Sequence, residues 1–230
     1  MDKYAVIVAG GSGLRMGSQV PKQFLPLQGK PVLWHTITAF LTAFADVKII
    51  LVLPADHIEK GQAVVKAVTG SERVQITTGG ETRFQSVKNG LKLVSAGSVV
   101  FVHDGVRCLV EPALIQRCYA TAIEKGNAIP AIAAIDSIRI ETDNGNQVMD
   151  RNKVRIIQTP QTFRAELLLK AFEQVYDPGF TDEATVVEKA GVAICLVEGE
   201  STNIKITQPV DLLVAEKILT ERILSSARQD

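Results

Sequence analysis

The chain has 230 residues, 46% of them hydrophobic, which is enough to bury one substantial core. Its 25 basic and 25 acidic residues balance, which excludes a global field drawing it to nucleic acid or a membrane surface, so any site for a polyanion has to be local. Three scattered cysteines, Cys108, Cys118 and Cys195, suit neither a disulfide framework nor a zinc site, and His35, His57 and His103 lack metal-ligand spacing.

The start, MDKYAVIVAGG, enters a strand at once without a basic n-region and long apolar h-region, and no later stretch holds 18 uninterrupted apolar residues. A cytoplasmic protein of one domain is the expectation. Tyr4 to Val8 reads as a strand buried on both faces of a parallel sheet. It runs into the glycine-rich stretch that organises the chain, Val6 to Phe24, VIVAGGSGLRMGSQVPKQF. Gly10, Gly11 and Gly13 let the backbone approach a ligand and turn successive N–H groups inward as an anion nest, and Arg15 and Lys22 add full positive charges. The dinucleotide fingerprint fails, because counting from Gly11 its third glycine falls on Met16. Walker A fails too, because Lys22 follows Pro21. What remains is a nucleotide loop with two cations, or, on this stretch alone, a glycine-rich turn with solvated charges.

Pro31 marks a helix start, and Val32, Leu33, Ile37, Phe40, Leu41 and Phe44 give it an apolar face. Strands are expected at 48–53, 74–78, 98–102 and 128–135, alternating with helices at 55–68, from about Thr82, and at 111–125. No Pro, Gly or Ser linker and no internal repeat divides this region. In an open α/β sheet ligands sit outside the carboxyl ends of the strands. Residues 10–15, 79–83, 104–107 and 136–137 all follow strands, so a parallel arrangement would bring them to one edge.

The pattern breaks after that strand. Residues 137–141 and 147–150 are strand-like around Asn144-Gly145, a hairpin signal, and the resulting arm is too small to fold alone. A second subunit is its expected partner. A returning segment at 155–158, a turn at Thr159-Pro160-Gln161 and a helix at 164–175 follow. Thr181-Asp182-Glu183 reads as a helix start, with capping and substrate contact both open. A strand at 193–197 precedes Asn203-Ile204-Lys205. A last helix at 209–225 is expected to bury Leu212, Leu213, Ala215, Ile218, Leu219 and Ile223.

Taken together, the GGSGLRMG loop, Pro21-Lys22-Gln23, Gly79-Gly80-x-x-Arg83, His103-Asp104-x-x-Arg107, Asp150-Arg151, Thr159-Pro160-Gln161, Thr181-Asp182-Glu183 and Asn203-Ile204-Lys205 resemble one family. It is the 2-C-methyl-D-erythritol 4-phosphate cytidylyltransferases, and the likeness runs in unbroken order from about Ala5 to the last helix. The resemblance implies a Rossmann-like nucleotidyltransferase fold, a mostly parallel sheet with helices on both faces and a protruding arm at about 137–154. It implies CTP as substrate, a Mg²⁺ requirement, a homodimer with interlocking arms, and a step of the non-mevalonate route to isoprenoid precursors.

By the same resemblance, Arg15 and Lys22 stabilise the transition state, and Arg151 and Lys205 position the acceptor phosphate. CTP lies on Ala9, Gly10, Gly11, Ser12 and Gly13, with its base near Gly80, Glu81, Ser86 and Gly105, and Arg83 belongs to the nucleotide-binding set. Asp104, Arg107, Ser137, Thr159 and Thr181 match positions that hold sugar phosphate, ribose or metal, with Asp104 as the metal ligand. Two residues depart from the pattern: Ser137 stands where threonine is usual, and Cys108 where proline usually follows the arginine.

The chemistry agrees with these roles. A phosphate monoester, with a second pKa of about 6, is largely dianionic at neutral pH and needs no general base. The work is to bring a dianion up to a triphosphate and to stabilise charge on the α-phosphoryl group, a task for positioned cations. A cytidylyltransferase for another polyol phosphate, such as ribitol 5-phosphate, and a nucleotide-binding protein without turnover are the alternatives.

Overall fold

Strand β1 (Lys3–Val8) is apolar on both faces because it lies in the middle of the main sheet with helices above and below. The computed structural model describes residues 1–11 and 20–226, so the expectations for Ser12, Gly13 and Arg15 lie outside the described residues. After β1 come the short ribbon β2 (Pro26–Leu27) and β3 (Lys30–Pro31), α1 (Val32–Ala43), β4 (Val47–Leu53), α2 (Ile58–Lys66), β5 (Val74–Thr78), α3 (Arg83–Leu91), β6 (Val99–Asp104) and α4 (Pro112–Lys125). Then follow β7 (Asn127–Ala133), the hairpin β8 (Ile138–Thr142) and β9 (Gly145–Met149), β10 (Arg155–Ile157), β11 (Gln161–Arg164), α5 (Ala165–Ala171), α6 (Glu183–Lys189), β12 (Leu196–Glu198) and α7 (Pro209–Ser226).

Strands β5, β4, β1 and β6 pair in parallel. Strand β11 joins β6 antiparallel, and β7 pairs antiparallel with β11 and β10 and parallel with β12. Alternate side chains of one strand serve opposite cores. Ile7, Ile49, Leu51 and Phe101 pack with Leu33, Ile37 and Phe40 of α1 and Leu114 and Ile115 of α4. Val6, Ile50, Val52 and Val100 pack with Phe84, Val87 and Leu91 of α3 and with Leu168 of α5. Each such side chain, fully buried, contributes about 1.5–3 kcal/mol relative to exposure, so these strands have no polar face to spare.

Local chemistry sets the helix starts that matter for the site. Thr82 and Gln85 form a reciprocal capping box at α3: Gln85 N–H donates to Thr82 Oγ1 and Thr82 N–H to Gln85 Oε1, each at 3.1 Å. Asp182 caps α6 by accepting from the Thr185 N–H at 2.9 Å.

The parallel βα units match the sequence pattern, and the return of the chain does not. Residues 161–164, expected to be turn and helix start, form β11, because the slot between β6 and β7 buries Phe163 completely. The helix expected at 164–175 is therefore only α5. The helix expected from Ala55 opens with a 3-10 turn, Ala55–His57, before α2. Strand β7 stops at Ala133, and Ile135 is 80% exposed. The hairpin turns on Asp143-Asn144: Thr142 pairs with Gly145, and Gly145 supplies the positive φ of 120°. On α7, Ala215 is buried and Leu212, Ile218 and Leu219 pack beside it, but Leu213 and Ile223 are exposed.

Candidate active site

The strand registers assemble the site. Val8 lies opposite Asp104 on one side and Val52 on the other, and Leu53 lies opposite Thr78, so the carboxyl ends of four strands finish level. A cavity of about 600 Å³ opens there. Of the residues singled out from the sequence, Ala9, Gly10, Gly11, Lys22, Gly80, Glu81, Arg83, Ser86, Asp104 and Lys205 line it. Gly105, Arg107, Ser137, Arg151, Thr159 and Thr181 do not.

Two glycines are needed for closeness. A Cβ on Gly80 would stand 2.4 Å from Gln85 Cβ, and one on Gly105 would stand 2.8 Å from Ala9 Cβ. Gly80 thereby lets its loop lie against the start of α3, where its N–H donates to Ser86 Oγ at 3.1 Å. Gly105 lets the end of β6 press under Ala9, and its carbonyl accepts from Thr36 at 2.9 Å, which makes it a supporting residue beneath the cavity floor.

Lys22 opens a 3-10 turn, Lys22–Phe24, and its stem passes 3.5 Å from the position of a Cβ on Gly11. Gln23, 1% exposed, fastens that turn to the strand end by donating from Nε2 to Ala9 O at 2.8 Å. Its neighbour Lys22 is thus held at the cavity by a residue that the sequence motif included without a role.

Asp104 is the electrostatic centre. Its Oδ2 is 2.9 Å from Lys205 Nζ and 3.6 Å from Arg107 Nε, and its Oδ1 is 3.4 Å from Arg83 Nη2. Burial opposes its ionisation, but Arg83, Lys205 and Arg107 together outweigh that and hold the carboxyl well below the usual carboxylate range. Arg83 also forms a two-pronged ion pair with Glu183, one hydrogen bond of which, Nη2 to Oε2, is 2.9 Å.

Behind Asp104 lies a buried polar network. The His103 Nε2–H donates to Arg107 O at 3.1 Å, a carbonyl that can only accept, so Nδ1 is the acceptor and takes the Thr159 hydroxyl proton at 2.9 Å. Thr159 Oγ1 in turn accepts from the Asp104 N–H at 3.1 Å. Burial pushes the His103 imidazole down to about 4. Thr159 therefore supports Asp104 from behind; its hydroxyl is already occupied in both directions. Arg107 donates to Asn203 O at 2.8 Å, and Asn203 Nδ2 donates to Thr159 O at 2.9 Å. These bonds, with Ile206 N–H on Val106 O at 3.0 Å, bind the segment carrying Lys205 to the end of β6.

The rest of the expected set stands elsewhere. Ser137, Arg151 and Thr181 are exposed, and the Arg151 guanidinium donates to Ile135 O of its own arm at 2.7 Å. In the 181–183 segment it is Glu183, 1% exposed, that pairs with a cavity residue, Arg83. An acid just inside a helix start reads as a partner of the helix dipole, and nothing local to that segment announces Arg83, a hundred residues away.

A profile of a family described as 2-C-methyl-D-erythritol 4-phosphate cytidylyltransferase matches residues 4–221. The chain is 48% identical over 219 residues to the protein of that name from Bacteroides fragilis, which spans 95% of this chain and 100% of the relative. It is 42% identical over 229 residues to a bifunctional enzyme IspD/IspF from Desulfotalea psychrophila, covering 96% of this chain and 58% of that one. Among solved structures, a 4-diphosphocytidyl-2C-methyl-D-erythritol synthase from Anaerococcus prevotii superposes with a TM-score of 0.81 at 27% identity, covering 95% of this chain and 98% of that one. With a strand-end cavity flanked by Lys22 and Lys205 and a likeness that spans nearly its whole length, the chain belongs to the 2-C-methyl-D-erythritol 4-phosphate cytidylyltransferase family.

Proposed function

We propose that the chain transfers the cytidylyl group of CTP to 2-C-methyl-D-erythritol 4-phosphate, giving 4-diphosphocytidyl-2-C-methyl-D-erythritol and pyrophosphate. The observation that carries this reading is the single cavity in which Lys22, from the loop side, and Lys205, from the segment before α7, converge on a wall containing Asp104. Two cations from separate segments lining one pocket suit two anionic substrates that have to meet. The acceptor phosphate supplies its own nucleophilic oxygen, so these residues act by placing it in line with the α-phosphorus and by meeting the charge that grows there. Lys22 and Arg15 are assigned to stabilising the transition state, and Lys205 and Arg151 to positioning the acceptor phosphate.

The residues present fit a Mg²⁺ ion carried with the nucleotide. Among the described residues no three His, Cys, Asp or Glu side chains gather to hold a metal unaided, which suits a cation that takes one carboxylate and otherwise substrate phosphates and water. Asp104 is that carboxylate, ionised at the cavity wall, and Lys205, with its side chain 41% exposed, is the partner free to swing away from it. The ion would neutralise charge on the phosphates. Glu81, also at the wall, and the Ser86 hydroxyl lie beside the backbone of Gly80, where the base is assigned.

The whole of 1–230 is taken as one cytidylyltransferase unit, working in the cytoplasm as a homodimer whose arm at about 137–154 crosses to the partner. In support, the β8–β9 ribbon pairs only with itself among the described strands and carries Val148 73% exposed and Ile140 38% exposed. The test is pyrophosphate release from CTP with 2-C-methyl-D-erythritol 4-phosphate and with ribitol 5-phosphate in parallel. Release with the first alone supports the assignment. Release only with the second moves the acceptor, and CTP binding without release from either removes the enzyme.

A further inference from the structure

Three cations surround Asp104, and they are not equally free. Arg107 is tied to the main chain through Asn203 O at 2.8 Å. Lys205 is half exposed on a flexible stem. Arg83 has a planar fork that could close on both oxygens of Asp104, the geometry in which guanidinium and carboxylate bind most tightly. It does not do so. Both its Nη groups are taken by Glu183, and only a long 3.4 Å contact from Nη2 reaches Asp104. Glu183 is 1% exposed and does not line the cavity, so it meets no ligand itself.

We propose that Glu183 is a positioning residue that keeps Arg83 from closing on Asp104, and so leaves the Asp104 carboxylate available to a divalent cation and Lys205 available to the acceptor. The inference rests on the cytidylyltransferase reading above. Without the Glu183 charge, the Arg83 fork loses its partner in a dry site and turns to the nearest carboxylate, which is Asp104. Asp104 would then be occupied on both oxygens. The metal-dependent part of nucleotide binding would suffer, and the metal-independent part would not.

The experiment uses the full chain with Glu183→Gln, which keeps the shape of the side chain and removes its charge. Titration calorimetry with CTP, with and without Mg²⁺, gives a readout independent of turnover. The expected result is a loss of about 10–100-fold in affinity for CTP in the presence of Mg²⁺, the range typical of residues that orient a metal ligand, with metal-free CTP binding within about twofold of wild type. The half-saturating Mg²⁺ concentration for turnover should rise in step. A double-mutant cycle provides the second arm: Arg83 lines the cavity, so the reference is Arg83→Gln alone, and adding Glu183→Gln to it should change the Mg²⁺ dependence no further, because the restrained group is gone. If Glu183→Gln does not fold, Glu183→Met, which keeps most of the length and also removes the charge, carries the same test. Wild-type protein that releases no pyrophosphate defeats the functional reading. An active wild type with an unchanged Mg²⁺ dependence in the charge-removing Glu183 variants, or a loss from Glu183→Gln that is as large in the Arg83→Gln background as in wild type, overturns the role of Glu183.

Discussion

The Lys205 ammonium stands 2.9 Å from Asp104 Oδ2, joining the segment before α7 to the end of β6 across a hundred residues of chain. This carboxylate holds the lysine at the cavity wall, and on the function proposed above the acceptor phosphate would take it from there. Lys205→Ala is expected to raise the KM for 2-C-methyl-D-erythritol 4-phosphate or lower kcat, with a combined loss in kcat/KM of about 10²-fold, the scale at which misplacing a reactant is felt. Calorimetric CTP affinity without acceptor should stay close to wild type. A comparable loss of CTP affinity would reassign Lys205 to the nucleotide.

If Lys22 serves the α-phosphoryl group as proposed, Lys22→Ala should act on turnover more than on binding, because that charge would matter most as the group gains negative charge. A fall of about 10²–10³ in kcat is expected, as for loss of one oxyanion-stabilising donor. Gln23 gives an internal comparison. Gln23→Leu keeps the Lys22 charge but cuts the bond to Ala9 O, so it should lower kcat less than Lys22→Ala does while leaving Arg and Lys content unchanged. Near-normal turnover in Lys22→Ala would remove Lys22 from the mechanism.

Stability should fall on mild acidification because of His103. Burial lowers its folded-state value to about 4, beneath the ordinary 6.5, so between these limits the unfolded chain binds a proton that the folded protein refuses. Folding free energy is therefore complete above about pH 6.5 and declines as pH falls toward 4, by about 2–3 kcal/mol between pH 7 and 4.5. Asp104, whose value is depressed, contributes its own loss only at still lower pH. Urea unfolding at several pH values checks this. His103→Gln should be less stable at pH 7 but should lose most of the slope in that window, and an undiminished slope would place the proton elsewhere.

The parallel half of the molecule was legible because it obeys local rules. Strand-like runs at 4–8, 48–53 and 74–78 are each followed within two residues by glycine or proline, and the residues that follow them meet at one edge as expected of an open α/β sheet. The failures are non-local. Nothing in residues 161–164 announces a strand; the slot between β6 and β7 creates it. Thr159 carries a hydroxyl that suits a ligand as well as it suits His103, and only the fold shows it facing His103. Glu183 was hidden for the same reason, since its partner Arg83 stands a hundred residues earlier in the chain.

Arg151 lies on the arm, outside the cavity, with its guanidinium on Ile135 O. If it serves an acceptor phosphate, the arm has to bring it to a site, and the arm's own surface, with Val148 exposed, suits contact with a second copy. Deleting the hairpin tip, 142–147, should then weaken dimerisation and activity together, as read by light scattering and pyrophosphate release. The sharper experiment mixes two inactive proteins, Arg151→Ala and Lys22→Ala. In a crossed arrangement one of the two sites in each heterodimer carries both intact residues, so random exchange of equal amounts should recover up to about a quarter of wild-type activity. In an uncrossed arrangement every site lacks one residue, and mixing recovers nothing. Subunit exchange, shown independently with differently tagged chains, makes the second outcome decisive for a site completed by its own chain.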